Sequence, residues 1–175
     1  GAVSLYNDNS VRFATTSTGA SITGGADTVL LVEGTSTASR VDLKTTSYHR
    51  FIQTLESDGA LRVYDQTNAL ERLRIDSSGR VLIGTTTEGY SNGDDLTIAG
   101  SDNTGITIRS GDTSTGNIYF SDATAGTGEY KGWVSYNHST DSLRLASNEL
   151  LALTLDSSQN ATFAGGISLS NTTQN

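Results

Sequence analysis

The chain has 175 residues, of which 34% are apolar and 49 are serine or threonine, a make-up that suits strands and turns better than helices around a large private core. Its net charge of −8, with only 11 scattered basic residues, argues against a nucleic-acid partner, and the lack of cysteine removes disulfide frameworks, thiolate zinc sites and cysteine nucleophiles. No apolar run reaches the roughly 18–20 residues of a spanning helix, no signal-peptide pattern opens the chain, and there is no methionine, so it reads as a fragment of a longer protein with no membrane insertion expected.

In chain order, residues 1–24 read as a connecting segment or the end of a preceding repeat, because Gly19-Ala20-Ser21-Ile22 aligns loosely with Gly79-Arg80-Val81-Leu82. Residues 25–87 read as a first β repeat, with short strands expected near 29–33, 40–44, 50–55, 60–64, 70–76 and 80–84. Residues 88–167 read as a second, with strands near 105–109, 117–121, 132–136, 142–146, 150–156 and 160–164, and 168–175 as an exit segment. The alternation is clearest where Leu73 and Ile75 interleave with Arg72, Arg74 and Asp76, and again at Val81 and Ile83. Between the strands, DSSG, ESDG, NHSTDS, DTSTG and ATAGTG supply residues that tolerate positive φ or cap a turn, a role that also accounts for Asp76 and Asp156.

Internal repetition organises these elements. The stretch ERLRIDSSGRVLIG at 71–84 returns in worn form as LALTLDSSQNATFA, 80 positions later. Upstream, Phe51, Ile52, Leu61 and Val63 align with Trp133, Val134, Leu143 and Leu145 at an offset of 82, and Val41 aligns with Ile118 at 77. A sheet with one greasy side must cover it, and the sequence supplies no amphipathic helix to do so. The cover must be another sheet. The expected fold is therefore all-β, with elongated tandem repeats of short antiparallel strands; the two copies either face each other in one chain or meet their equivalents on neighbouring chains, where three sheets can close as a triangular, β-prism-like homotrimer. The residues expected in its trimer or repeat core are Leu61, Val63, Leu73, Ile75, Val81 and Ile83 in the first copy and Leu143, Leu145, Leu153, Leu155 and Phe163 in the second.

YNHSTDSLRL, together with ERLRIDSSGRVLIGTT, resembles the repeat of bacteriophage tail fibres of the marine, cyanophage type. In that repeat, Y-[DN]-H-S…L-R-[FL] leads into E-R-[LM]-R-I-D-S-S-G-N-V-G-I-G-T. The first half is best kept in the second copy (Tyr136, Asn137, His138, Ser139) and the second half in the first copy (Glu71 through Thr86). LTIAGSDNTGITIRSGD at 96–112 is similar to the start of a following unit in such fibres, and the resemblance covers about 25–167. The usual G-N-V-G-I-G is G-R-V-L-I-G here, and the proline that often follows I-G-T-T is absent. The resemblance implies a parallel, in-register homotrimer assembled in the host cytoplasm and exposed outside the cell as part of the virion. Its partners would be other fibre or baseplate proteins, with a host surface polysaccharide or outer-membrane receptor at the tip.

Chemistry-bearing residues point away from catalysis. His49 and His138 do not align with each other, falling opposite Lys131 and Glu56, and no H-x-H pair exists, so no metal site is expected. Asp94 and Asp95 are neighbours on an extended chain and point to opposite sides, which does not suit a glycosidic pair. There is no G-x-S-x-G, no calcium loop, and no lysine after ITGGA or FAGGI to make a phosphate loop, so no cofactor is expected. Sequons begin at Asn137, Asn160 and Asn171, a number that chance explains at this serine and threonine content.

The aromatics Tyr119, Tyr130, Trp133 and Tyr136 cluster in the second copy, and Tyr130, Trp133 and Tyr136 are the candidate glycan contacts. Phe51 stands at the Trp133 position in the first copy, which favours inward packing for Trp133, while Tyr130 and Tyr136 stay open between packing and binding. The expected function is a non-enzymatic structural segment of a tail fibre that spaces or presents host-receptor binding. The alternative is a carbohydrate-binding β module of a fibre tip or surface adhesin. A depolymerase tailspike fragment ranks third, because the turns of a spike β-helix repeat at shorter periods than about 80 residues.

Overall fold

Alternating segments of three to seven residues, cut by turn-forming residues, can pair with their neighbours and do little else. The computed structural model describes residues 4–7, 10–15, 20–22 and 38–168, which are all-β apart from one 3₁₀ segment at Gly126–Tyr130. A first small sheet holds β1 (Ser4–Asn7), β2 (Ser10–Thr15) and β3 (Ala20–Ile22) in order. A six-stranded meander follows: β4 (Ala38–Lys44), β5 (His49–Leu55), β6 (Leu61–Asp65), β7 (Leu70–Ile75), β8 (Val81–Ile83) and β9 (Leu96–Ile98). A five-stranded meander closes the series: β10 (Thr115–Phe120), β11 (Gly132–Asn137), β12 (Ser142–Ser147), β13 (Leu150–Leu155) and β14 (Ala161–Phe163). Every pairing is antiparallel except β8 with β9.

The chain divides into two compact units between Gly105 and Ile106. The division expected at 87/88 falls too early, because β9 returns to lie parallel to β8, with Val81 opposite Leu96 and Ile83 opposite Ile98. The strand expected near 105–109 does not form. That segment is irregular, and regular pairing begins only at Thr115, where Gly116 leaves room for the Ile108 side chain. The strand expected near 29–33 lies outside the described residues, as does most of the 168–175 exit segment.

The duplication reaches down to backbone detail. In the first unit the β6–β7 register steps from Val63 opposite Leu73 to Tyr64 opposite Glu71, so Arg72 is a bulge residue. In the second, Leu145 faces Leu153 and Ala146 faces Leu151, so Ala152 is its counterpart. The Gly84 N–H donates to the Arg72 carbonyl and the Ala164 N–H to the Ala152 carbonyl, at 3.3 and 3.0 Å. In β1–β2, Leu5 faces Phe13 and Tyr6 faces Val11, a third step of the same kind, over Arg12.

The offset drops from 82 to 80 where four residues after Asp65 give way to a two-residue turn, Asn148-Glu149, both at positive φ. The Asp76 carboxylate accepts the N–H groups of Ser78 and Arg80 at 2.9 and 3.0 Å, and Asp156 accepts those of Ser158 and Asn160, both at 2.9 Å. Gly79 sits at φ +85 in the first turn, and Gln159 holds the same place at φ 67. A side chain there is strained, so Gln159→Gly is expected to stabilise the second unit by about 0.5–1 kcal/mol, read as a rise of a few degrees in Tm.

Candidate functional site

Register places side chains on faces, and the two faces of each sheet differ in chemistry. In the six-stranded sheet one face carries the row Val41, Ile52, Val63, Leu73, Ile83 and Ile98, with a second row Leu61, Ile75, Val81 and Leu96 beside it. The five-stranded sheet repeats this with Ile118, Val134, Leu145, Leu153 and Phe163, and with Tyr136, Leu143 and Leu155. All eleven residues expected in the core lie in these rows, yet none is buried within the chain. Ile52, in the middle of its row, is 45% exposed, and Leu61, Ile75, Ile83, Leu143, Leu145 and Phe163 are exposed as well. Apolar surface this continuous marks an interaction face.

The opposite face of the first unit is charged and yet closed. Phe51 is 3% exposed, stacked on Tyr64 at 5.1 Å and covered by the guanidinium groups of Arg40 and Arg62. Arg62 donates to Gln53 and Glu71, and Arg74 donates to Glu71 and Asp58. Arg40, Arg62 and Arg74 each have an acidic partner, so the wet side of this sheet is better packed than its greasy side. At the end of the apolar face Asp65 is fully buried, taking hydrogen bonds from the Asn68 backbone and side chain and from Arg72, with Arg50 beside it. Burial alone would raise its carboxyl pKa, but these donors outweigh burial and hold it at about 2.

The second unit has the same face with its filling removed. Tyr119, Trp133, Ala146 and Leu151 share one row across the sheet, and Asn117, Ser135, Arg144 and Thr154 share the next. Here a hollow of about 650 Å³ opens, lined by Tyr119, Tyr130, Trp133, Ser135, Arg144 and Leu151 together with Thr115 and Asn117. Tyr130 meets Trp133 edge to face at 6.2 Å. Lys131 pairs with Glu149, whose carboxyl pKa is lowered chiefly by that contact.

The structure therefore splits the expected glycan contacts. Trp133 and Tyr130 line the hollow, whereas Tyr136 stands on the opposite, apolar face, its hydroxyl donating to Asp141 at 3.3 Å and its ring edge-on to His138 at 5.0 Å. The inward packing expected for Trp133 from its match with Phe51 is corrected in one respect. The two positions do correspond, but both lie away from the apolar rows. Sequence reading passed over Arg144 and Ser135 as site residues and placed Tyr119 in the aromatic cluster without naming it a contact. The signal that finds them is the change at matched positions between the two copies.

The remaining candidates resolve into structural roles. His49 pairs with Asp42 at 3.0 Å, and its backbone carbonyl accepts the Gln66 N–H. Asp94 pairs with Arg80 at 3.0 Å, while the Asp95 backbone carbonyl accepts the Val81 N–H. Among the described residues no group of three or more histidine, aspartate or glutamate side chains is placed to hold a metal ion. The carboxyl shifts that are resolved, at Asp58, Asp65, Asp76, Glu149 and Asp156, are all downward, as befits acceptors fixed in turns and ion pairs. Asn137 accepts the N–H groups of Ser139 and Thr140, Asn160 is tied to Asp156, and Asn171 lies outside the described residues.

Fold and faces together define an all-β chain with two antiparallel-rich sheets, each with one open apolar side. No protein-family model matches the chain, and no curated protein does either.

Proposed function

We propose that this chain is a structural segment of a bacteriophage tail fibre, in which three copies run parallel and in register and bury their apolar rows against one another. The observation that carries this reading is the uncovered row Val41, Ile52, Val63, Leu73, Ile83 and Ile98, matched in the second unit by Ile118, Val134, Leu145, Leu153 and Phe163. Two sheets face to face would also cover such rows. The number three follows from the resemblance of Glu71 through Thr86 to the fibre repeat, and three sheets closed into a prism leave no edge strand open to aggregation.

The work of such a segment is mechanical: a stiff, non-enzymatic spacer on the virion that presents host-receptor binding. It would join other fibre or baseplate proteins at its ends, assemble in the host cytoplasm and act outside the cell against a surface polysaccharide or outer-membrane receptor. An antibody against this chain is expected to decorate the fibres of the tailed particle that encodes it. Decoration of a cell envelope instead would replace the reading with that of a surface adhesin.

A carbohydrate-binding module is the second reading, favoured by the hollow at Trp133. The tailspike-depolymerase reading has no observation behind it among the described residues.

A further inference from the structure

The hollow at Trp133 is best understood from what the first unit puts in the same place. Arg62 and Arg144 are matched positions, each paired across the sheet in the same register. Around Arg62 stand Gln53, Tyr64 and Glu71, which receive its hydrogen bonds and take its guanidinium over a ring at 4.5 Å. At the matched positions around Arg144 stand Ser135, Ala146 and Leu151. An amide, a phenol and a carboxylate have become a hydroxyl, a methyl and an isobutyl group.

Two consequences follow. Among the described residues Arg144 keeps one side-chain hydrogen bond, from Nε to the Ser142 hydroxyl at 3.2 Å, and has no ion pair, so its Nη groups are left without an acceptor. Ser135 is 4% exposed, its side chain lines the hollow, and its hydroxyl has no hydrogen-bond partner among the described residues. Neither group is sealed away from solvent; both open into the hollow, and polar groups left free together beside aromatic rings suit a ligand that takes them.

We infer that this hollow binds an acidic sugar, a uronate residue within a polysaccharide. The carboxylate would take the free Nη donors of Arg144 in the bidentate geometry that guanidinium groups favour. The C–H face of the pyranose ring would lie on Trp133 and Tyr119, with Ser135 and Asn117 meeting ring hydroxyls. Three aromatic side chains with a rim of small hydroxyl and amide groups suit a flat, hydroxylated ring better than an acidic peptide. The site lies on the face opposite the apolar rows and within one unit, so the inference goes beyond the fibre reading and stands whether or not the chain assembles.

Trp133 is the sole tryptophan, so intrinsic fluorescence reports directly on this hollow. Short oligomers of galacturonate, glucuronate and mannuronate are titrated against their methyl esters, which keep the backbone and lose the charge, and against tetraglutamate. At least one uronate is expected to shift the fluorescence and to bind about tenfold or more tightly than its ester, as loss of one charge-assisted contact implies. Arg144→Gln is expected to erase that preference. Leu151→Glu, which restores the first unit's acid beside an intact arginine, is expected to abolish uronate binding while the β spectrum is kept. Silence from all three uronates, equal affinity for acid and ester, or tetraglutamate binding as well as any uronate would each overturn the assignment.

Discussion

Replacing Leu73 with aspartate is expected to reduce the assembly to single chains while leaving the β spectrum intact. Leu73 sits in the middle of its row, between Val63 and Ile83, on a face that nothing among the described residues covers. In a lone chain the new carboxylate remains in water and costs the fold little. In an assembly it is buried without a partner, at about 3–5 kcal/mol per copy, and a trimer would carry three such charges. That amounts to on the order of 10 kcal/mol, enough to turn a nanomolar association into one too weak to detect. Ser57→Asp, in the exposed turn between β5 and β6, adds the same charge and is expected to change nothing. Light scattering and circular dichroism on the two variants read both outcomes, and an unchanged mass for Leu73→Asp would show that the rows are not the interface.

The second large effect is expected at Asp65, whose carboxylate organises the turn between β6 and β7. Its carboxyl pKa is depressed from the ordinary 3.8 to about 2, so its contribution to stability is complete above pH 3.8 and fades as the pH falls toward 2. Asp65→Ala is expected to lower Tm at neutral pH by roughly 5–10 °C, because the Asn68 N–H and two guanidinium groups lose their shared acceptor. The gap between variant and parent is expected to narrow as the pH drops through that window. Thermal melts from pH 7 down to pH 2 test it, and a gap that stays constant with pH would remove the linkage. The pH window separates this charge effect from a simple packing defect, which would not titrate.

Much of the strand pattern is legible in the sequence because period-two alternation and turn chemistry are local. Leu73 and Ile75 against Arg72 and Arg74 are enough to place β7, and the two aspartate-led turns reproduce each other bond for bond. What is not local is lost. Strand β9 is three residues long and pairs in parallel across a twelve-residue connection, so nothing in Leu96-Thr97-Ile98 announces its partner. The irregular run at 105–109 has strand-like composition, but Ser114 and Thr115, not Ile106 and Ile108, meet the next strand.

The hollow is harder to see because it is made by absences. Ser135, Ala146 and Leu151 look unremarkable alone, and only their alignment with Gln53, Tyr64 and Glu71 shows that an arginine has lost its partners. For the same reason the aromatic residues misled. Trp133 and Tyr136 are three positions apart, and an odd separation on a regular strand sends them to opposite faces. One stands in the hollow and the other among the leucines.

The mass of the native chain in solution tests the central claim most directly. With the apolar rows of both units closed by identical copies, light scattering is expected to give three times the 18.4 kDa chain mass, about 55 kDa. A monodisperse 18.4 kDa species with a full β spectrum would contradict it, because the rows would then stand open in water without consequence.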